Sequence, residues 1–260
     1  MFRGILAAAL LAALAGCAHA DRGAASVEVT IYDRTQAREL PVHRHGGRLY
    51  VAGTPGNEYE VRLRNRGGAR VLTVISVDGV NAITGETAAV SQSGYVLDPG
   101  RRATVSGWRK SLEQVAAFYF TALPDSYAVR TGRPDNVGVI GVAVFREKER
   151  APEPWIGRDE DARPSGRAET PAPAAPSAKA QSGAADTARE QRLGTGHGRE
   201  HAAPTRYTAF ERASDRPAQT IAIYYDSRAN LVAAGVIPAP RPLPDPRPFP
   251  AGFVPDPPRY

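Results

Sequence analysis

The chain has 260 residues, a formal net charge of +6, one cysteine, 25 glycines and 23 prolines. A single cysteine excludes an internal disulfide and a multi-cysteine zinc site. The glycines lack the every-third spacing of collagen, and no apolar stretch reaches the roughly 18 residues of a spanning helix. The length suits one or two domains.

The chain opens MFRGILAAALLAALAGCAHAD. Arg3 supplies a positive start, and the apolar run Ile5 to Ala15 has the length of a secretory core rather than of a membrane span. Residues 1–20 therefore read as a signal peptide. Two processing sites compete. Leu14-Ala15-Gly16-Cys17 resembles the lipobox of bacterial lipoproteins, which implies cleavage before Cys17 and acylation of its thiol. Ala18-His19-Ala20 is an A-x-A site that would release a soluble protein. The first reading makes the chain an outer-membrane lipoprotein facing the periplasm or the surface, with the membrane as its partner; the second makes it soluble and periplasmic. Past Cys17 no cysteine remains, so an exported domain must be held by its core alone.

Residues 26–148 read as a β-sandwich domain. Val27–Tyr32 and Tyr59–Asn65 alternate apolar and polar residues, as half-buried strands do. Arg48–Gly53 is a short strand closed by Thr54-Pro55-Gly56-Asn57, and Arg66-Gly67-Gly68-Ala69 predicts a hairpin. Val71–Val77 is a denser apolar run, suited to a central strand, and Asp78-Gly79 closes it with turn chemistry. Strands follow at Gly94–Leu97, Arg102–Trp108, Val115–Thr121 and Val137–Phe145, with Asp98-Pro99-Gly100 as a turn. Short strands at this spacing imply a mainly β fold: an antiparallel β-sandwich, jelly-roll or Ig-like.

Residues 149–192 are rich in Ala, Pro, Ser and charge, and read as a disordered linker. Residues 193–237 read as C-terminal strands completing the β domain: Tyr207–Arg212 and Thr220–Tyr225 are strand-like, and Ala229–Ala234 predicts a short helix ended by Gly235. Two strands alone make at best a marginal hairpin, so these should pair with the first domain. Residues 238–260 are a proline-rich tail of extended character.

Several segments together, namely Val77-Asp78-Gly79-Val80-Asn81, Gly85-Glu86-Thr87, Gly94–Leu97, Gly107–Ser111, Asp125-Ser126-Tyr127, Thr131–Pro134 and Asn136–Val142, resemble a set of bacterial exported, lipoprotein-like proteins of unknown function. In these the pattern is followed by a variable linker and a terminal Gly-Thr-Gly-His-Gly, here Gly194–Gly198. The resemblance covers residues 40–147 and 193–237. It implies that both parts form one unit, and it carries no activity.

The candidate sites are few. His43-x-His45 would share a strand face, and His197 and His201, with Glu200, have an i, i+4 spacing; together they are metal candidates. Gly196 and Gly198 argue against a helix there, and the glycine-rich segment lacks the phosphate-loop pattern, so it reads as a flexible re-entry from linker to strand. Asp125-Ser126-Tyr127 puts a serine beside a carboxylate without a nearby histidine, and no G-x-S-x-G is present. Trp108, Arg109, Tyr127 and Arg133 combine aromatic and guanidinium groups in the manner of recognition surfaces. No run of five basic residues occurs, which argues against nucleic acid. The positive balance suits an anionic lipid or polysaccharide instead. The sequence thus reads as a cell-envelope binding or structural module, without cofactor, whose partner is an envelope protein or polysaccharide. The alternative is a metal-binding protein or a hydrolase using the histidines or the Asp125–Tyr127 region.

Overall fold

The structure, a computed structural model, describes residues 27–149 and 192–239. The expected signal peptide with Cys17, the linker between residues 150 and 191, and the tail from residue 240 lie outside the described residues.

Two seven-stranded sheets pack face to face as a β-sandwich. The first sheet contains β1 (Val27–Asp33), β2 (Arg38–Glu39), β5 (Glu58–Asn65), β9 (Arg102–Val105), β10 (Gly107–Arg109), β11 (Gln114–Ala122) and β13 (Leu193–Ala202). The second contains β3 (His43–His45), β4 (Arg48–Gly53), β6 (Val71–Val77), β7 (Val80–Asn81), β8 (Tyr95–Leu97), β12 (Val139–Arg146) and β14 (Gln219–Ser227). Two short helices complete the description, α1 (Tyr127–Arg130) and α2 (Arg228–Ala233).

The alternation in β5 fixes which face is which. Tyr59, Val61 and Leu63 are buried, while Glu60, Arg62 and Arg64 face outward. β1 pairs along all of β5, so Ile31 enters the same core. Across the interface stand Ile75, Val77, Ile140, Val142, Val144 and Ile223. The dense run of β6 is buried on both faces: Val71, Ile75 and Val77 point into the sandwich, while Leu72 and Val74 join Ala143 and Phe145 in a second cluster on the outer face.

Several expectations are corrected. Residues 66–69 do not close a hairpin, because β5 and β6 belong to different sheets; burying the inner faces of both strands against one another requires the chain to cross over. Residues 207–212 form no strand. Phe210 instead packs on the outer cluster of the second sheet, and the Arg212 guanidinium lies 4.1 Å from the centre of the Phe145 ring. The Gly194–Gly198 segment is no flexible re-entry: it lies in β13 and pairs with β11 from Leu193↔Ala122 to Ala202↔Gln114. The expected mainly antiparallel β-sandwich is what forms, with one exception: β14 runs parallel to β4. β14 returns from far along the chain to sit between β12 and β4, so no tight turn dictates its direction relative to β4.

Glycine makes two close approaches possible. A Cβ on Gly107 would stand 2.0 Å from the Ala116 carbonyl oxygen. This is where the chain bends at Ser106 and changes partner, β9 pairing with β5 and β10 with β11. A Cβ on Gly196 would meet the Tyr119 ring at 2.2 Å, so the ring lies flat across β13 because this position is glycine.

Candidate functional site

The residues singled out from sequence do not form one site. His43 and His45 lie on β3 at the edge of the second sheet, whereas His197 and His201 lie on β13 in the first. On a strand, positions four apart are separated by about 13 Å. Among the described residues no group of three or more His, Cys, Asp or Glu is placed to hold a metal ion. Burial and then Lys110 lower the pKa of His197; burial and then Arg34 lower that of His201.

The aromatic cluster exists, with Trp108 interior and Tyr127, Arg109, Arg133 and His197 at the surface around it. Trp108 is 3% exposed. Its ring meets Phe118 edge-on at 4.8 Å, Tyr127 at 4.7 Å and the His197 ring at 6.1 Å. Arg109 donates to the carbonyls of Ser111, Leu112 and Ala203, and Arg133 to the Gly85 carbonyl, so both hold loops in place. Of the grouping expected as a binding surface, Trp108 is buried in the core, while Arg109, Tyr127 and Arg133 stay partly exposed. Ser126 is likewise committed: its hydroxyl donates to the Leu123 carbonyl at 2.7 Å and accepts from the Val129 N–H at 3.3 Å as the cap of α1.

Sequence reasoning missed a buried polar chain that ties the sheets together. Asp78 and Gly79 have φ of 53° and 74°, the positive values that a two-residue turn between β6 and β7 demands. The turn directs the Asp78 carboxyl inward, where it is fully buried. It accepts from the Gly138 N–H at 2.9 Å, the Thr195 N–H at 2.7 Å and the Tyr225 hydroxyl at 2.6 Å. The Tyr225 hydrogen being spent on Asp78, the Thr195 hydroxyl must donate to Tyr225 (2.7 Å) and Tyr59 to Thr195 (2.6 Å). One directional chain results, from Tyr59 to Thr195 to Tyr225 to Asp78, each bond polarising the next. Burial pushes the Asp78 carboxyl up to about 6, against the downward pull of these hydrogen bonds. Burial and the Asp78 charge raise both tyrosines. The chain has no solvent-facing member and holds no substrate-sized space, so it clamps the first sheet (Tyr59, Thr195) to the second (Asp78, Tyr225).

A Ser–His contact is also present: the Ser106 hydroxyl lies 2.8 Å from His201 Nε2. The other ring nitrogen, Nδ1, is buried with no hydrogen-bond partner. Among the described residues no acidic side chain bonds the other ring nitrogen to orient the base, as the third member of a triad does.

The feature left with uncommitted charge lies on the outer face of the first sheet. A shallow basin of about 360 Å³ is lined by Arg62, Arg64, Arg66 and Arg102, with Glu28 and Glu39 among its acidic walls. Arg66 pairs with Glu28 at 2.6 Å. Arg62 pairs with Glu60 at 2.7 Å and lies over the Tyr32 ring at 3.4 Å. Arg64 and Arg102 differ. They stand directly opposite one another across β5 and β9, an arrangement that like charges disfavour. Neither makes an ion pair among the described residues, and the Arg64 Nε is buried without a hydrogen-bond partner. The period-2 pattern of β5 showed that Arg64 faces outward; it could not show that Arg102, 38 positions later, comes to lie beside it.

Comparison with family models, curated proteins and solved structures finds no match for the chain. The functional reading therefore rests on this geometry.

Proposed function

We propose that the chain is an exported, lipid-anchored cell-envelope protein whose β-sandwich is a non-enzymatic binding module. The observation that carries the reading is where the polar chemistry of the described residues is spent. Asp78, Thr195, Tyr59 and Tyr225 bond one another inside the core, and Ser126 caps a helix. The Arg64–Arg102 pair, in contrast, lines a solvent-open basin and makes no ion pair among the described residues. Guanidinium groups held in this way bind oxyanions; they supply neither a nucleophile nor a base. A cysteine-free fold held by a continuous apolar core suits an export route in which no disulfide forms.

The anchor is supported by the position of the single cysteine at the end of the apolar run. Among the described residues no helix is long and apolar enough to cross a membrane. Metabolic labelling with a fatty-acid analogue, with fractionation of wild type against Cys17→Ser, tests the anchor. Label on the wild type and release of the variant from the membrane are expected; an unlabelled wild-type chain that fractionates as soluble refutes the anchor.

A further inference from the structure

Three guanidinium groups at one end of the sandwich, those of Arg64, Arg101 and Arg102, make no ion pair among the described residues, although carboxylates are near. Arg66 has taken Glu28, and Arg70 has taken Asp98 and Glu147. The backbone that carries them is rigid. The buried Asn65 side chain donates to the carbonyls of Ala69, Leu97 and Asp98 and accepts from the Gly67 N–H, while its N–H donates to the Arg101 carbonyl. The loops bearing Arg66 and Arg101 are thus fastened to the end of β5. Two like charges held opposite one another on a fixed frame store repulsion that an anion placed between them relieves. The Arg64 Nε is buried with no hydrogen-bond partner among the described residues, and the outer part of its guanidinium lines the basin beside Arg102. Arg forks match the oxygens of phosphate.

Position selects the source of that phosphate. β1 starts at this same end, with Val27 opposite Asn65 and Glu28 opposite Arg64. Val27 is ten positions after Cys17, a reach of at most about 35 Å. If Cys17 is acylated, the basin is held within that distance of the bilayer surface, where headgroup phosphates are concentrated. α2 sits at the opposite end of the sandwich, beyond the pairing of Ser227 with Gly53.

We propose that the Arg64–Arg102 pair and its basin are a docking site for the phosphate of an anionic membrane lipid headgroup, whose charge no choline offsets, seating the sandwich on the membrane that holds its N-terminal anchor. The idea rests on the anchored reading above, and gives the second signal that stable membrane attachment uses beside acylation.

The test is co-sedimentation of the purified full chain, carrying Cys17→Ser so that no acyl chain contributes, with two kinds of vesicle: phosphatidylcholine alone, and phosphatidylcholine with a third of phosphatidylglycerol. Any binding by the apolar N-terminal run is common to both. Preference for the anionic vesicles is expected, falling about fivefold for each arginine removed. Arg102→Gln alters an exposed side chain and keeps the test usable if Arg64→Gln impairs folding. Arg44→Gln, on β3 of the other sheet, should change nothing. Equal binding to both vesicles overturns the proposal, as does an unchanged preference in Arg102→Gln and in the double variant. Inorganic phosphate at vesicle-equivalent concentration that saturates the pair and displaces the chain assigns the site to free phosphate and overturns the lipid assignment. A sulfated or uronate polysaccharide bound without any preference for anionic vesicles overturns it as well. Fatty-acid labelling of Cys17 is read separately, so loss of vesicle preference with labelling intact fails the docking site alone, and the reverse fails the anchor alone.

Discussion

The buried carboxyl of Asp78 makes the stability of the domain fall as the pH rises through the weakly acidic range. In the folded protein it holds its proton up to about pH 6, whereas its ordinary value is 3.8. Below about pH 4 the acid is neutral in both folded and unfolded chains and contributes no penalty. Between the two values the folded state binds more protons, so each unit of rising pH costs up to ~1.4 kcal/mol. The shift of about two units therefore removes roughly 3 kcal/mol of stability by pH 7. Asp78→Asn isolates this term. The amide oxygen can still accept from Gly138 and Tyr225, but its NH2 faces the Thr195 N–H, donor against donor, at a pH-independent cost of about 1–3 kcal/mol. Urea unfolding of both full chains at unit steps from pH 4 to pH 8 gives a difference curve in which every other titrating group cancels. The variant should be the less stable at pH 4 and should gain roughly 3 kcal/mol on the wild type by pH 8, with the change centred between pH 4 and pH 6. A difference that stays constant across the range would show that the carboxyl is not desolvated, and the account of the clamp would fail with it.

Thr195→Val removes the central hydroxyl of the same chain and leaves the buried Tyr59 hydroxyl without its partner, which should cost about 1–3 kcal/mol by urea unfolding. Gly107→Ala should be far more damaging than Gly196→Ala. The first drives a methyl into a backbone carbonyl, the second into a half-exposed tyrosine ring that can swing aside, and thermal melts should rank them in that order. The chain leaves β12 at Arg146, opposite Val71, and resumes at Leu193, near Asp226 at the far end of the sheet. Bridging that distance along eight residues of strand takes roughly 26 Å. Replacing residues 150–191 by a ten-residue Gly/Ser segment should therefore leave the melting temperature unchanged, and a two-residue joint should give no soluble protein. Soluble, cooperatively melting protein from the two-residue joint would contradict the assigned strand order.

The strands most visible in the sequence were those with a face to show. β1 and β5 alternate because one side is core and the other water, and β6 is mostly apolar because both of its faces are covered. β13 was hidden for the converse reason. Its glycines present no side chains to alternate, and they are there because the Tyr119 ring and the Ser126 side chain occupy the space a Cβ would need. Residues 207–212 show the opposite error: the segment has the aromatic content of a strand, but Phe210 covers the outer face of the second sheet rather than joining a ladder.

The sequence by itself determined that the chain is mainly β and, in the alternating strands β1 and β5, which residues face inward. These follow from the two-residue period of an extended backbone beside an apolar interior, a local property. Only the tertiary structure decided that Trp108 is interior, that Asp78 is clamped by Thr195 and Tyr225, and that Arg64 and Arg102 face each other unpaired. Those outcomes depend on which distant strands become neighbours and in what register. Register and sheet order are set by the packing of the whole core, to which no single stretch of sequence holds the answer.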